Sequence, residues 1–124
     1  MSSASFPSEA PSIAGARRFV SGELGELGDV STDVADDIAL MVSELATNAV
    51  RHAGTPFRVS VDRTSSGVRV SVTDGADGHP VARDPSPHEL SGRGLLIVDR
   101  LADAWGVDHE RRGKTVWFTR TLRA

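Results

Sequence analysis

Two short runs in the middle of the chain alternate strictly between apolar and polar residues, and this alternation constrains the fold more than any other feature. The runs are residues 57–61 (FRVSV) and residues 68–72 (VRVSV). A period of two is typical of a half-buried strand, and Ser65-Ser66-Gly67 supplies a turn between the two runs. The sequence therefore predicts an antiparallel hairpin.

Helical periodicity flanks this hairpin on both sides. Ser31 or Thr32 can cap the helix that precedes it, because a hydroxyl can accept a hydrogen bond from the first turn. The predicted elements outside the hairpin are helices over 13–27, 32–53 and 95–102, and strands near 104–109 and 115–122. This order predicts an α/β (α+β) two-layer sandwich, with helices packed on one face of a mixed, mostly antiparallel sheet.

The length of 124 residues predicts one domain with a single core. We expect residues 1–11, which are rich in Ser, Pro and Ala, to form a flexible N-terminal tail in which Phe6 can anchor a short strand. Residues 12–124 then form the domain. The chain contains no cysteine, which excludes a disulfide framework and a thiolate metal site.

Charge and hydropathy narrow the classes of partner. The formal net charge is −3 and cationic residues are not concentrated in a stripe, which argues against direct binding of nucleic acid. The first residues have neither a basic nor an apolar leader segment, and no window approaches the roughly 18 apolar residues of a membrane span. We therefore expect a cytoplasmic protein that is not bound to a membrane.

Glu44 and Asn48 lie four residues apart in the second predicted helix. This spacing corresponds to a rotation of about 40°, so both side chains can face one pocket beside the apolar stripe. Asn48 offers a hard oxygen of the kind that suits Mg²⁺, and Glu44 can accept a proton from a hydroxyl nucleophile. Taken alone the pair is weak evidence, because solvated helix edges carry many such pairs.

Two further segments contain glycines next to polar residues. Asp74 and Gly78 follow the second strand of the hairpin, where an Asp-Gly step alone usually indicates a turn. Gly92, Arg93 and Gly94 precede the third predicted helix, where unpaired backbone N–H groups favour a phosphate. The second of these segments predicts an anion-binding region at the start of the third helix.

Two common nucleotide motifs do not fit. The segment Gly113-Lys114-Thr115 resembles the end of a P-loop, but Asp108 stands where that motif needs glycine. Ile97 stands where the dinucleotide fingerprint beginning at Gly92 needs its third glycine. The four histidines have no ligand-like spacing, so a zinc site is not expected.

Four segments therefore stand in order along the chain: the helix with Glu44 and Asn48, then residues 74–78, 91–95 and 113–115. In this order they resemble the ATP-binding boxes of the GHKL superfamily, which comprises gyrase-type ATPases, Hsp90, histidine kinases and MutL. The resemblance is closest to the small bacterial branch of anti-sigma factor serine kinases and covers nearly the whole chain. It implies the Bergerat-type ATP-binding fold, with ATP and Mg²⁺ as ligands. It also implies that Asp74 receives the exocyclic amine of adenine with support from Thr115.

The residues that the resemblance and the chemistry together assign to the site fall into two groups. Glu44 is the predicted catalytic base, and Asn48 is the predicted metal ligand. The predicted nucleotide-binding residues are Asn48, Asp74, Gly78, Gly92, Arg93, Gly94, Leu95 and Thr115.

Two positions depart from the pattern of the family. Ala76 replaces the first glycine of the second box, and Leu90 stands where kinase members often have arginine.

One interpretation of the whole sequence is a homodimeric kinase that sequesters a sigma factor and phosphorylates a serine on a STAS-type anti-anti-sigma partner. The alternative is an inactive binding module with the same fold. The catalytic domain of a histidine kinase is disfavoured, since the chain has no separate phosphoacceptor helix hairpin.

Overall fold

A five-stranded sheet lies against three α-helices and one π-helix in the part of the chain that the structure describes. The computed structural model describes residues 1–75, 93–111 and 113–122. The elements are β1 (Ser2–Phe6), α1 (Pro11–Leu27), α2 (Thr32–Asn48), the π-helix (Ala49–Ala53), β2 (Phe57–Arg63), β3 (Gly67–Asp74), α3 (Arg93–Leu101), β4 (Ala104–Glu110) and β5 (Gly113–Thr121).

The strands are arranged in the order β1-β2-β3-β5-β4. All four pairings between the described strands are antiparallel, so the prediction of a mixed sheet is wrong in this detail. No more than three residues separate β2 from β3 or β4 from β5, and so short a connection can only join antiparallel neighbours. The two-layer α+β architecture is confirmed, with the helices on one face of the sheet.

Residues 2–6 form the strand β1, which replaces the loose tail predicted there and agrees with the expectation that Phe6 anchors a short strand. It pairs with β2, so that Phe6 lies opposite Phe57. The two rings stack with their centroids 5.6 Å apart, and α1 approaches so closely that a Cβ on Gly15 would lie 3.2 Å from Phe6 Cε1. One aromatic side chain thus anchors a segment that otherwise lacks a strand pattern.

The core lies between the helices and the inner face of the sheet. Alternate residues of β2, β3 and β5 point toward the helices, as the period of two predicts. The largest side chains that are fully buried there are Phe57, Phe118, Ile38, Met41, Val20, Val42, Val59, Val68, Val70 and Val98. None of the described helices is both long and apolar enough to cross a membrane.

Polar contacts fix the N-terminal part of α2. Ser31 is its N-cap, and Ser31 Oγ accepts a hydrogen bond from Val34 N at 3.2 Å, as the sequence predicted. Asp37, in the second turn, forms an ion pair with Arg120 of β5 at 3.0 Å. The helix continues beyond Asn48 as the π-helix, where the sequence predicted further α-helix.

Candidate functional site

The C-terminal end of α2 and the end of β3 lie at the same end of the sheet. The π-helix that follows α2 contacts β3, and it ends at Gly54, which has a φ of 69°. Gly75 N, directly after β3, donates a hydrogen bond to Thr55 Oγ1 at 3.0 Å. Phe57 then pairs with Asp74. These contacts place the π-helix that continues α2, and the residues that follow it, at the end of β3 where Asp74 lies.

Glu44 and Asn48 occupy the last two turns of α2. Both are partly buried, whereas the neighbouring Leu45 is only 2% exposed in the core. Within the described part of the chain, neither side chain forms a hydrogen bond or an ion pair. The carboxylate and the amide therefore lie at the edge of the core with their polar groups available to a ligand.

Asp74 supplies a buried carboxylate at the end of β3. Its side chain is 4% exposed, and Lys114 Nζ donates to Asp74 Oδ2 at 2.7 Å. The two residues are register partners on neighbouring strands, and the Lys114 side chain is 18% exposed. Burying a charged group without a partner costs free energy, and the ammonium of Lys114 is a hydrogen-bonded partner for this carboxylate.

The structure does not bring Thr115 to Asp74. Thr115 is the register partner of Thr73, and their Oγ1 atoms lie 2.9 Å apart. Because successive strand residues point to opposite faces, Thr73 and Thr115 lie on the face away from the helices, opposite to Asp74 and Lys114. Lys114 was not among the residues predicted for the site, although its even spacing from the buried Val116 indicates the inner face.

Gly113 explains how β5 comes so close to the end of β3. Its φ is 129°, and a Cβ at this position would overlap the carbonyl oxygen of Asp74. Only glycine adopts this conformation and this close approach without strain. The backbone at Gly113 therefore holds the adjacent Lys114 beside Asp74.

The residues predicted to bind phosphate are described only in part. Gly78 and Gly92 lie outside the described residues, as do Ala76 and Leu90. Arg93 and Gly94 are in the first turn of α3. Leu95 is 4% exposed and packs in the core, so that only its backbone can face a ligand. The phosphate-binding half of the site remains a prediction from the sequence.

The polar groups of the described site suit a purine nucleotide. A buried carboxylate can accept a hydrogen bond from an exocyclic amine, and the amide oxygen of Asn48 is a hard ligand. Among the described residues, no group of three or more acidic or histidine side chains is placed to hold a metal ion. A Mg²⁺ ion bound through Asn48 would take its remaining ligands from phosphates and water, as this cation usually does.

Comparisons with known proteins agree with this geometry. The profile of the histidine kinase-like ATPase domain matches residues 6–120. No curated protein matches the sequence significantly. One matching solved structure is that of the RsbU and RsbW domains of Rv1364c from Mycobacterium tuberculosis, with a TM-score of 0.74 and 21% identity over 98% of this chain.

This similarity shows only that the two proteins share a fold. The present chain spans 33% of the length of the matched chain. The profile match extends from the end of β1 to near the end of β5, so it includes Glu44, Asn48 and Asp74. The resemblance to the GHKL superfamily is thereby confirmed, and membership implies ATP binding. The chain belongs to the histidine kinase-like ATPase domain family.

Proposed function

We propose that the protein is a serine kinase of the anti-sigma factor type. It binds ATP with Mg²⁺, phosphorylates a serine on a STAS-type anti-anti-sigma partner and sequesters a sigma factor. The observation that carries the proposal is that Glu44 and Asn48 lie in the last turns of α2, which continues into the π-helix that contacts β3, the strand that ends at the buried carboxylate of Asp74. Glu44 supplies a general base, Asn48 supplies a hard oxygen for a cation, and Asp74 supplies a carboxylate that can bind the adenine ring.

Asp74 and Asn48 have different roles in nucleotide binding. Asp74, at the buried end of the site, accepts the exocyclic amine of adenine. Asn48, at the partly exposed edge, provides one oxygen to Mg²⁺. The cation neutralises charge on the phosphates when it is bound. Gly92, Arg93 and Gly94 are proposed to receive the phosphates at the start of α3.

Glu44 is proposed to act on the incoming serine. The serine hydroxyl oxygen attacks the γ-phosphorus, and the bond between that phosphorus and the β–γ bridging oxygen breaks. ADP leaves with the electron pair, while the hydroxyl proton passes to the Glu44 carboxylate. Because Glu44 is only partly buried and forms no hydrogen bond or ion pair within the described part of the chain, its carboxylate can reach a bound partner.

The partner classes rest on the resemblance of the sequence to the anti-sigma branch. The matched solved chain carries RsbU and RsbW domains together, which supports a regulatory setting for this fold. We expect the protein to form a homodimer and to reside in the cytoplasm. Neither nucleic acid nor a membrane is a proposed partner.

Calorimetric titration with ATP, with and without Mg²⁺, tests the nucleotide site. We expect saturable binding that requires Mg²⁺ and is lost in Asn48→Ala. Thr47→Ala is the matched control, because Thr47 Oγ1 already donates to the Ser43 carbonyl at 2.7 Å and takes no part in the site. If ATP does not bind at millimolar concentration, the proposed kinase is excluded.

A second candidate function is an inactive module that acts only through protein contacts. Ala76 and Leu90, the two departures from the family pattern, favour it. The candidates differ in whether a STAS-type partner gains phosphate when ATP is supplied. A partner that binds tightly but stays unmodified through a long incubation identifies the module.

A further inference from the structure

Lys114 places a cation next to the carboxylate that is proposed to recognise the base. We propose that Lys114 is a specificity-determining residue, and that the Lys114–Asp74 pair admits 6-oxopurine nucleotides such as GTP and ITP alongside ATP. This inference rests on the proposed nucleotide site and adds a substrate class to it. It assigns to Lys114 the place that the sequence analysis gave to Thr115.

The geometry presents a donor and an acceptor side by side. Lys114 Nζ and Asp74 Oδ2 are 2.7 Å apart and lie on the inner face of neighbouring strands. The carboxylate is almost fully buried, whereas 18% of the Lys114 side chain is exposed. An ammonium has three donor hydrogens, so bonding one of them to Asp74 leaves two for a ligand.

A lone carboxylate and this ion pair select purines differently. Adenine offers an amine donor at position 6 and an acceptor at ring position 1, so Asp74 can receive the amine while Lys114 donates to the ring nitrogen. Guanine and hypoxanthine offer an oxygen acceptor at position 6 and an N–H donor at position 1. The pair matches this edge as well, with Lys114 donating to the oxygen and Asp74 accepting from the N–H.

Without the lysine, the oxygen at position 6 would face a carboxylate that cannot donate a hydrogen bond. A site that leaves polar groups unmatched in this way rejects the wrong ligand strongly. The side chain of Lys114 therefore removes a barrier to 6-oxopurines. A purely structural ion pair would affect the stability of the fold but would not change the ratio of nucleotide affinities.

The first test uses the unaltered protein, titrated by calorimetry with ATP, GTP and ITP in the presence of Mg²⁺. We expect the affinities for GTP and ITP to lie within about tenfold of that for ATP, because each matched pair of contacts is retained. Binding of ATP without detectable binding of GTP and ITP overturns the inference and leaves the proposed function standing. If no nucleotide binds, the proposed function itself fails, and the inference fails with it.

The second test changes the lysine. Lys114→Met should shift the ratio of ATP to GTP affinity by about tenfold or more toward ATP, while Lys114→Arg, which keeps the cation, should leave it nearly unchanged. Arg63→Met is the matched control, since it removes an exposed positive charge at the opposite end of β2. An unchanged ratio in a folded Lys114→Met protein overturns the inference. Should this variant not fold, the titrations of the unaltered protein decide.

Discussion

The hydroxyl oxygens of Thr73 and Thr115 lie 2.9 Å apart on the face of the sheet that the helices leave uncovered. One residue further along each strand, Asp74 and Lys114 form their ion pair on the opposite face. The single-residue offset decides which side chains can reach a ligand between sheet and helices. Thr115 therefore stabilises the sheet, while its neighbour Lys114 lies at the candidate site.

Thr115→Val should leave the affinity for ATP unchanged, because the hydroxyl lies on the wrong face. We expect it to lower the free energy of unfolding by about 1 kcal/mol through loss of the hydrogen bond. The double variant Thr73→Val/Thr115→Val should recover part of that loss, since both polar partners are then removed. Calorimetry and urea unfolding measure the two effects, and a large loss of ATP affinity in Thr115→Val would contradict this placement.

Phe6→Ala should destabilise the protein although it lies in a segment that looks like a tail. The ring stacks on Phe57 and touches Gly15, and it is partly buried, so we expect a loss of about 2 kcal/mol in the free energy of unfolding. Ser5→Ala is the control, because Ser5 is exposed on the same strand. Equal urea midpoints for the two variants would show that β1 adds nothing to stability.

Gly113→Ala should destabilise the protein by more than about 1 kcal/mol, because alanine is strained at a positive φ and its Cβ would overlap the Asp74 backbone. Gly22→Ala provides a matched comparison within α1, where an added Cβ meets no atom within 4 Å. There we expect a gain of about 0.5–1 kcal/mol from the higher helix propensity of alanine. Thermal unfolding of both variants should therefore shift in opposite directions.

The parts of the fold with a regular local pattern could be predicted from the sequence. The alternating runs at 57–61 and 68–72 form the centres of β2 and β3, and the first predicted helix is α1 with a slightly earlier start. β1 could not be predicted in the same way, because its strand pairing depends on the distant Phe57. The π-helix also has no distinct periodic signal, since its apolar residues continue the pattern of α2.

Part of the candidate site could also be predicted from a local pattern, and part could not. Glu44 and Asn48 share a helix, so their common face follows from 3.6 residues per turn. The relation between Asp74 and β5 depends on the register between distant strands, and the resemblance to the family indicated Thr115 where the structure places Lys114. The resemblance to the GHKL superfamily predicted which residue types belong to the site. Which side chain of β5 faces the site depends on the alternation of side chains along that strand.

Glu44→Gln should abolish phosphotransfer while leaving the fold and ATP binding intact. The amide keeps the size of the side chain but cannot accept the serine proton, and general bases typically contribute about 10²–10⁴ in rate. Transfer of labelled γ-phosphate to a purified STAS-type partner measures the loss, with calorimetry reporting ATP affinity in parallel.

Glu26→Gln, an exposed position near the end of α1, is the matched control and should transfer phosphate at the normal rate. Equal transfer by the two variants would remove Glu44 from the role of base. In that case phosphotransfer would depend on positioning of the hydroxyl and on charge neutralisation at the phosphates, and Asn48→Ala would then be the more damaging substitution.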